Sequence, residues 1–338
     1  PREAHTGSRR SDSDGEHHWM KSAWRQVLVV LLPLWGGLGG CAVVPLDGGH
    51  TPSHHLAAKP ESRIAARLAA EQPSLDPANG RDSAIRLQIT GYEAWEDRLR
   101  LVQLADQSID IQYFSWKDDE SGLVLFSHLI DAADRGVRVR LLLDDMMAIN
   151  QSRLARIDAH ENIELRLFNP FSSQRVDALM RPFEWLAKER VNVRMHNKVM
   201  IADSLVGMVG GRNIQNRYFW IDRSFNHRDL DAVVIGAVMA ELQTSFDDYW
   251  NSPWSVPISE LERTPSQRKA RKYYDALEEL RNSEAIVAQF APATSGTLED
   301  YSISRDMQAA RIEFIADDPD KVTHREARKF DQLDALVE

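Results

Sequence analysis

Residues 196–213 read HNKVMIADSLVGMVGGRN, and this stretch decides how the surrounding chain is interpreted. It predicts a strand, HNKVMI, a turn at Asp203, and a second strand, SLVGMVGG, that carries the chain back. Successive side chains of a strand point to opposite faces of a sheet. We therefore expect His196 and Lys198 to lie side by side on one face.

The residue types in this stretch suit chemistry at a phosphate group. A neutral imidazole at His196 can act as a nucleophile, and the ammonium group of Lys198 can hold the oxygens of a phosphate. Gly210 and Gly211 have no side chains, so a ligand could approach the backbone there, and Asn213 adds an amide donor. Together these residues predict a phosphoryl-transfer site in which Lys198 supplies the positive charge.

The residues of this stretch could instead have a purely structural role. A histidine and a lysine are also common on strands, where a lysine at a sheet edge discourages aggregation.

Asp144 and Asp145 end another predicted strand, but no third ligand follows at a metal-binding spacing. The sequence therefore predicts neither a metal nor a cofactor.

The flanking sequence alternates between helical and strand patterns. The helices are predicted at 91–106, 122–136 and 151–160, the strands at 108–116, 137–145 and 163–168, and a long loop at 170–190. The second helix should end at Gly136, since glycine is a common C-cap residue. Strands that alternate with helices predict an α/β fold, with a mixed, largely parallel sheet that helices cover on both faces.

The composition indicates an ordinary globular protein. The 338 residues are 43% hydrophobic and 27% charged, and the formal net charge is −10. Proteins that wrap nucleic acid usually present a basic surface, so this balance argues against a nucleic-acid partner. A single cysteine excludes both an intramolecular disulfide and a multi-cysteine metal site.

That cysteine, Cys41, follows a pattern that resembles a bacterial lipoprotein signal. Residues 20–41 combine basic residues, a short apolar run and the small residues that precede Cys41. This interpretation predicts lipidation of Cys41 and a membrane-anchored protein that faces the periplasm; a plain secretory signal or a buried helix is the alternative. Residues 1–19 are interpreted as an upstream extension, or else as a disordered tail, and residues 42–82 as a linker.

The full register of the opening stretch is H-x-K-x4-D-x6-G-G-x-N, carried by His196, Lys198, Asp203, Gly210, Gly211 and Asn213. It resembles the signature of the phospholipase D superfamily. Residues 84–255 are similar to cardiolipin synthases of the lipoprotein-like subgroup, and residues 312–322 are similar to them more distantly. The resemblance implies an α-β-α sandwich with a catalytic lobe at 83–255. At 256–338 it implies an inter-lobe segment and the start of an incomplete second lobe.

The resemblance also implies a reaction. A phosphatidyl group would pass to the headgroup alcohol of a second phospholipid through a phosphohistidine, with His196 as nucleophile or as general acid. Asp203 would be a further catalytic residue, whose carboxylate orients an active-site histidine; the alternative is that it holds the turn between the two strands. Lys198, Gly210, Gly211 and Asn213 would bind the phosphate, and the phospholipids would be phosphatidylglycerol or phosphatidylethanolamine. Hydrolysis by water, as in a phospholipase D, is the alternative outcome of the same first step.

Members of the superfamily generally bring two such motifs together, whereas this sequence contains one. No histidine other than His196 is followed two positions later by lysine. We expect a truncated product whose second lobe is missing; pairing of two copies as a homodimer is the alternative. Two further functions stay open, a catalytically incomplete, membrane-tethered fragment and a nuclease, although the acidic composition argues against the nuclease.

Overall fold

The structure is a computed structural model, and it describes residues 51–147, 150–170, 194–222, 224–294 and 296–322. The predicted extension, the signal segment with Cys41, and the predicted loop after Pro170 lie outside the described residues. Lipidation of Cys41 therefore stays a prediction. Within the described ranges, no helix is both long and apolar enough to cross a membrane.

A mixed β-sheet forms the centre of the structure. Its strands are β1 (Ser83–Gln88), β2 (Ser108–Tyr113), β3 (Arg138–Asp144), β4 (Ile163–Phe168), β5 (Val199–Ala202), β6 (Val206–Gly210), β7 (Asp231–Gly236), β8 (Ser255–Pro257) and β9 (Gln308–Ala310). Their order across the sheet is β8-β4-β3-β2-β5-β6-β7-β1-β9. Among the described strands, β2, β3 and β4 run parallel to one another, and all the other neighbours pair antiparallel. The mixed α/β class is confirmed, but the prediction of a largely parallel sheet is wrong.

A short connection explains why β5 and β6 pair antiparallel. A parallel pair needs a long crossover, whereas a tight turn can join only antiparallel strands. β5 and β6 are joined by a three-residue connection in which Asp203 and Ser204 have φ angles of 50° and 61°. The helical crossovers that give parallel pairs occur between β2 and β3 and between β3 and β4.

Helices cover both faces of the sheet. They are α1 (Arg63–Glu71), α2 (Gly91–Leu104), α3 (Glu120–Asp134), α4 (Gln151–Asp158), α5 (Val238–Asn251), α6 (Ile258–Leu261), α7 (Gln267–Asn282) and α8 (Glu284–Phe290). Met200 of β5 belongs to the core that α2, α3 and α4 cover. Its neighbours Val199 and Ile201 belong to the core beneath α5. Alternate side chains of one strand thus enter opposite cores, which gives the predicted α-β-α layering.

Local sequence signals account for the ends of two helices. Thr90 caps α2: its hydroxyl accepts from the N–H of Glu93, and the Glu93 carboxylate accepts from the N–H of Thr90. α3 is followed by Gly136, whose φ of 90° lies in the left-handed region that glycine adopts without strain. The prediction that Gly136 ends this helix is confirmed.

The segment interpreted as a linker, 42–82, is part of the folded body where it is described. α1 buries Ile64 completely in the same core as α2 and α3. Ahead of α1, the main-chain oxygen of Ser53 accepts a hydrogen bond of 2.9 Å from Nη1 of the buried Arg140. These contacts hold residues 53–71 against the folded body, so the linker interpretation fails for this part of 42–82.

The predicted start of a second lobe at 256–338 also differs from the structure. β8 crosses the predicted boundary and pairs with β4, and β9 pairs with β1. On α7, the hydroxyl of Tyr274 donates to the main-chain oxygen of Arg156 at 2.7 Å. The described part of this region, 256–322, therefore extends the same folded unit as the motif and contributes to its core.

Candidate active site

The histidine and the lysine of the motif lie at the edge of the sheet that is formed by the ends of its strands. The carboxyl ends of β2, β3 and β4 reach this edge, and β5 begins there because it runs antiparallel to β2, with Val199 opposite Gln112. His196 and Lys198 precede β5, so they lie in the segment that enters the strand and not within the strand itself. This edge of an α/β sheet is where ligand sites commonly form.

The structure brings His196 and Lys198 together, as the sequence predicts. The imidazole of His196 is exposed at the edge, and its centroid lies 5.0 Å from that of the Phe114 ring. The Nζ of Lys198 lies 5.5 Å from the same ring and donates a hydrogen bond of 2.6 Å to the main-chain oxygen of His196. Lys198 is therefore held in place by the backbone of its neighbour, while the histidine side chain faces solvent.

The environment of Lys198 favours its loss of a proton. Burial lowers the pKa of Lys198 to about 8, and the carboxylates of Asp229 and Asp231 act in the opposite direction. An ammonium that is partly stripped of water interacts more strongly with an approaching phosphate oxygen than an exposed one does. The lysine is thus suited to binding an anion beside His196.

This pKa predicts how activity depends on pH. Below about pH 8 Lys198 carries its charge, so kcat/KM for a phosphodiester should fall as the pH rises through about 8. Arginine keeps its charge across this range, so Lys198→Arg should lack the alkaline decrease even if its maximal rate is lower. Profiles that fall at the same pH in both proteins would assign the decrease to another group.

Asn213 is close to this edge but its amide is already engaged. Its Oδ1 accepts from the N–H of Ser115 at 3.0 Å, and its Nδ2 donates to the hydroxyl of Tyr218 at 3.3 Å. Ser115 follows Phe114, whose ring contacts His196. Asn213 therefore fixes the chain that leaves β2, which makes it a support for the site as well as a candidate phosphate ligand.

The two glycines have a packing role that differs from the prediction. A Cβ atom on Gly210 would lie 2.0 Å from Oδ1 of Asp231, and one on Gly211 would lie 2.0 Å from Oδ1 of Asp229. The N–H of Gly211 donates to the main-chain oxygen of Leu230. The absence of side chains thus lets two carboxylates pack closely against this backbone, and phosphate binding by the two glycines stays a prediction.

Asp203 lies away from His196, at the opposite end of β5. Its carboxylate is fully buried and accepts from the main-chain N–H groups of Asp106, Gln107 and Ser108 at 2.8–3.1 Å. These groups form the turn that leads into β2. Of the two interpretations open for Asp203, this geometry supports the structural one, in which it aligns β2 with β5.

Sequence reasoning missed the buried charges behind the motif. Asp231 is the first residue of β7. Its carboxylate also accepts from Nη2 of Arg98 at 2.7 Å and from the N–H of Arg212 at 3.1 Å. A charged residue that opens an otherwise apolar strand, DAVVIG, was the available signal.

Among the described residues, no group of three histidine, cysteine or acidic side chains is arranged to hold a metal.

The fold and the site together define an α/β protein whose motif histidine and lysine meet at the edge of a mixed sheet. Residues 99–250 match the sequence profile described as cardiolipin synthase, PLD-like domain. Cardiolipin synthase C of Escherichia coli is 41% identical over 180 residues, an alignment that covers 53% of this chain and 37% of that protein. The chain belongs to the phospholipase D superfamily.

Other relatives extend the comparison. An uncharacterized protein of Helicobacter pylori strain 26695 is 34% identical over 249 residues, which cover 72% of this chain and 49% of the relative. The solved structure of Nuc, a phospholipase D family member from Salmonella typhimurium, is 18% identical with a TM-score of 0.37 and covers 52% of this chain and 97% of its own. The chain spans about half, or less, of the length of the Escherichia coli and Helicobacter pylori relatives.

Proposed function

We propose that this chain is a catalytic lobe of a phosphatidyltransferase of the cardiolipin synthase type. The observation that carries the proposal is the pairing of an exposed imidazole, His196, with a buried lysine of lowered pKa, Lys198, at the sheet edge. The similarity of residues 99–250 to a cardiolipin synthase profile supports phospholipids as the substrate class.

The proposed reaction has two steps that share one covalent intermediate. A nitrogen of the His196 imidazole attacks the phosphorus of a phospholipid, the bond from phosphorus to the headgroup oxygen breaks, and that oxygen leaves with a proton from a general acid. The headgroup hydroxyl of a second phospholipid then attacks phosphorus, gives up its proton, and releases the histidine. Lys198 stabilises the charge that builds on the phosphoryl oxygens in both steps.

The general acid is proposed to come from a second motif. This sequence carries one H-x-K-x4-D register, and the two curated relatives compared above are at least about twice as long as the regions that match. A further lobe, or less favourably a second copy of this chain, would place its histidine opposite His196. Phosphatidylglycerol and phosphatidylethanolamine are the proposed lipids, and water in place of the acceptor would make the reaction a hydrolysis.

The first half-reaction can be tested without the second motif. A 4-nitrophenyl phosphodiester releases nitrophenolate, a leaving group that needs no proton, so only the nucleophile and Lys198 are required. We expect a burst of nitrophenolate and a protein adduct whose added mass, located by peptide mass spectrometry, sits on His196. Absence of both burst and adduct would contradict the proposed nucleophile.

Vesicles containing phosphatidylglycerol then identify the complete reaction. Cardiolipin is the product expected of transfer, and phosphatidic acid is the product expected of hydrolysis. The assay should be run over a range of protein concentrations with light scattering alongside, because activity that rises with dimer formation would assign the second motif to a second copy. A transferase is contradicted if phosphatidic acid forms and cardiolipin does not.

A further inference from the structure

Asp144 joins two parts of the chain at the motif edge. It is the last residue of β3 and is completely buried. Its Oδ1 accepts from the N–H of Met146 and its Oδ2 accepts from the N–H of Met195, each at 3.0 Å. Met195 immediately precedes His196, so this carboxylate holds the backbone one residue before the proposed nucleophile.

A neighbouring arginine strengthens the same junction. Nη1 of Arg194 lies 3.5 Å from Oδ1 of Asp144 and donates a hydrogen bond of 3.0 Å to the main-chain oxygen of Asn169. Asn169 directly follows β4, and its N–H donates to the main-chain oxygen of Trp254. Residues 194 and 195 are therefore tied to the ends of both β3 and β4.

We propose that Asp144 is a positioning residue, whose carboxylate fixes the main chain at Met195 and thereby sets where the imidazole of His196 stands. The role of the histidine in this inference rests on the proposed function. His196 is exposed, with the Phe114 ring beside its imidazole, and the backbone that carries it contributes to its location. That backbone is held before the histidine by Asp144 and after it by Lys198, whose Nζ binds the His196 oxygen.

The competing interpretation is that Asp144 only stabilises the fold. Burial raises the pKa of Asp144 to about 6, with Asp145 adding to the effect and Arg194 and the two N–H groups opposing it. Burial likewise raises the pKa of Asp158 to about 6, and that carboxylate accepts from the N–H of Leu165 at 2.8 Å. Asp158 ends α4 and does not contact the motif segment in the described structure, so it provides a matched control.

The test compares Asp144→Asn with Asp158→Asn in the full chain. Asparagine keeps the shape of aspartate but presents an amide N–H₂ to one of the two N–H donors, so one hydrogen bond at residue 144 is lost. We expect hydrogen–deuterium exchange at the Met195 amide to accelerate and the NMR signals of the His196 ring to shift in Asp144→Asn alone. Both substitutions should lower resistance to urea, because each disturbs a buried acceptor.

Kinetics separates positioning from stability. With the 4-nitrophenyl phosphodiester, Asp144→Asn should lower the rate of the burst by about tenfold to a hundredfold, and KM should change much less. A rate loss of this size is expected when a nucleophile is displaced by about 1 Å. Asp158→Asn should leave the burst unchanged. Equal rate losses in the two variants, or an unchanged Met195 amide and His196 ring in Asp144→Asn, would overturn the inference. If wild type shows no adduct but the Met195 and His196 signals still shift, the proposed function fails and the positioning contact stands.

Discussion

Replacing His196 with asparagine is expected to abolish the nitrophenolate burst and the protein adduct, and to lower any phospholipid turnover by at least on the order of a thousandfold. The amide of asparagine cannot supply the lone pair that an imidazole nitrogen offers to phosphorus. The measurement is the single-turnover rate, with the intact mass of the protein recorded at each time point.

The fold should survive this substitution. His196 is exposed at the sheet edge, and changes at exposed positions usually alter the free energy of unfolding by less than about 0.5 kcal/mol. His160→Asn is the control, because this histidine follows the C-terminal end of α4 and pairs with Asp134 at 3.1 Å. A His196→Asn protein that reacts at the wild-type rate would remove the histidine from the mechanism, and equal losses in both variants would point to a general effect.

Replacing Asp231 with alanine is expected to cause the largest loss of stability. Its carboxylate is almost fully buried, and so is the guanidinium of Arg98 that donates to it at 2.7 Å. Arg212, also fully buried, lies 3.7 Å away through Nη1 and donates to Asp231 through its main-chain N–H. Alanine would leave both guanidinium groups inside the protein without their common counter-charge.

Removing one partner of a buried ion pair typically costs roughly 3–5 kcal/mol, which is a large share of the 5–15 kcal/mol or so that stabilises a domain. Urea unfolding followed by circular dichroism would measure the loss, and Asp231→Asn should lose less because it keeps the shape and one acceptor oxygen. The control is Arg271→Ala, whose exposed pair with Asp134 at 3.7 Å should contribute less than about 1 kcal/mol. A loss for Asp231→Ala as small as that of the control would show that other groups compensate the two arginines.

Local patterns predicted the elements of this fold because they depend on neighbours in sequence. The helical spacing at 91–106 corresponds to α2, and the glycine expected to end the next helix, Gly136, does so with a positive φ. The register of His196 and Lys198 likewise placed two reactive groups on one segment, and the structure keeps them together. Such features involve residues a few positions apart, whose geometry the backbone itself restricts.

Three predictions failed where the outcome depended on packing between distant segments. The alternation of helices and strands suggested a parallel sheet, but the three-residue connection between β5 and β6 is too short for a crossover. The segment at 51–82 has a polar, tether-like composition, yet α1 finds an apolar core to cover. Residues 256–338 suggested the start of a second lobe, but β8 and β9 pair with strands of the same sheet.

The sequence by itself determined the element types, the motif and the superfamily, because hydrophobic periodicity and residue spacing act over short stretches of chain. Only the tertiary structure decided which residues support the motif. Asp144 reaches Met195 across 51 positions, and Arg98 reaches Asp231 across 133. Asp203, although only seven positions from His196 in sequence, is carried to the opposite end of β5 and bonds to the turn before β2. Strand order and direction set these distances, and they emerge only when the whole sheet assembles.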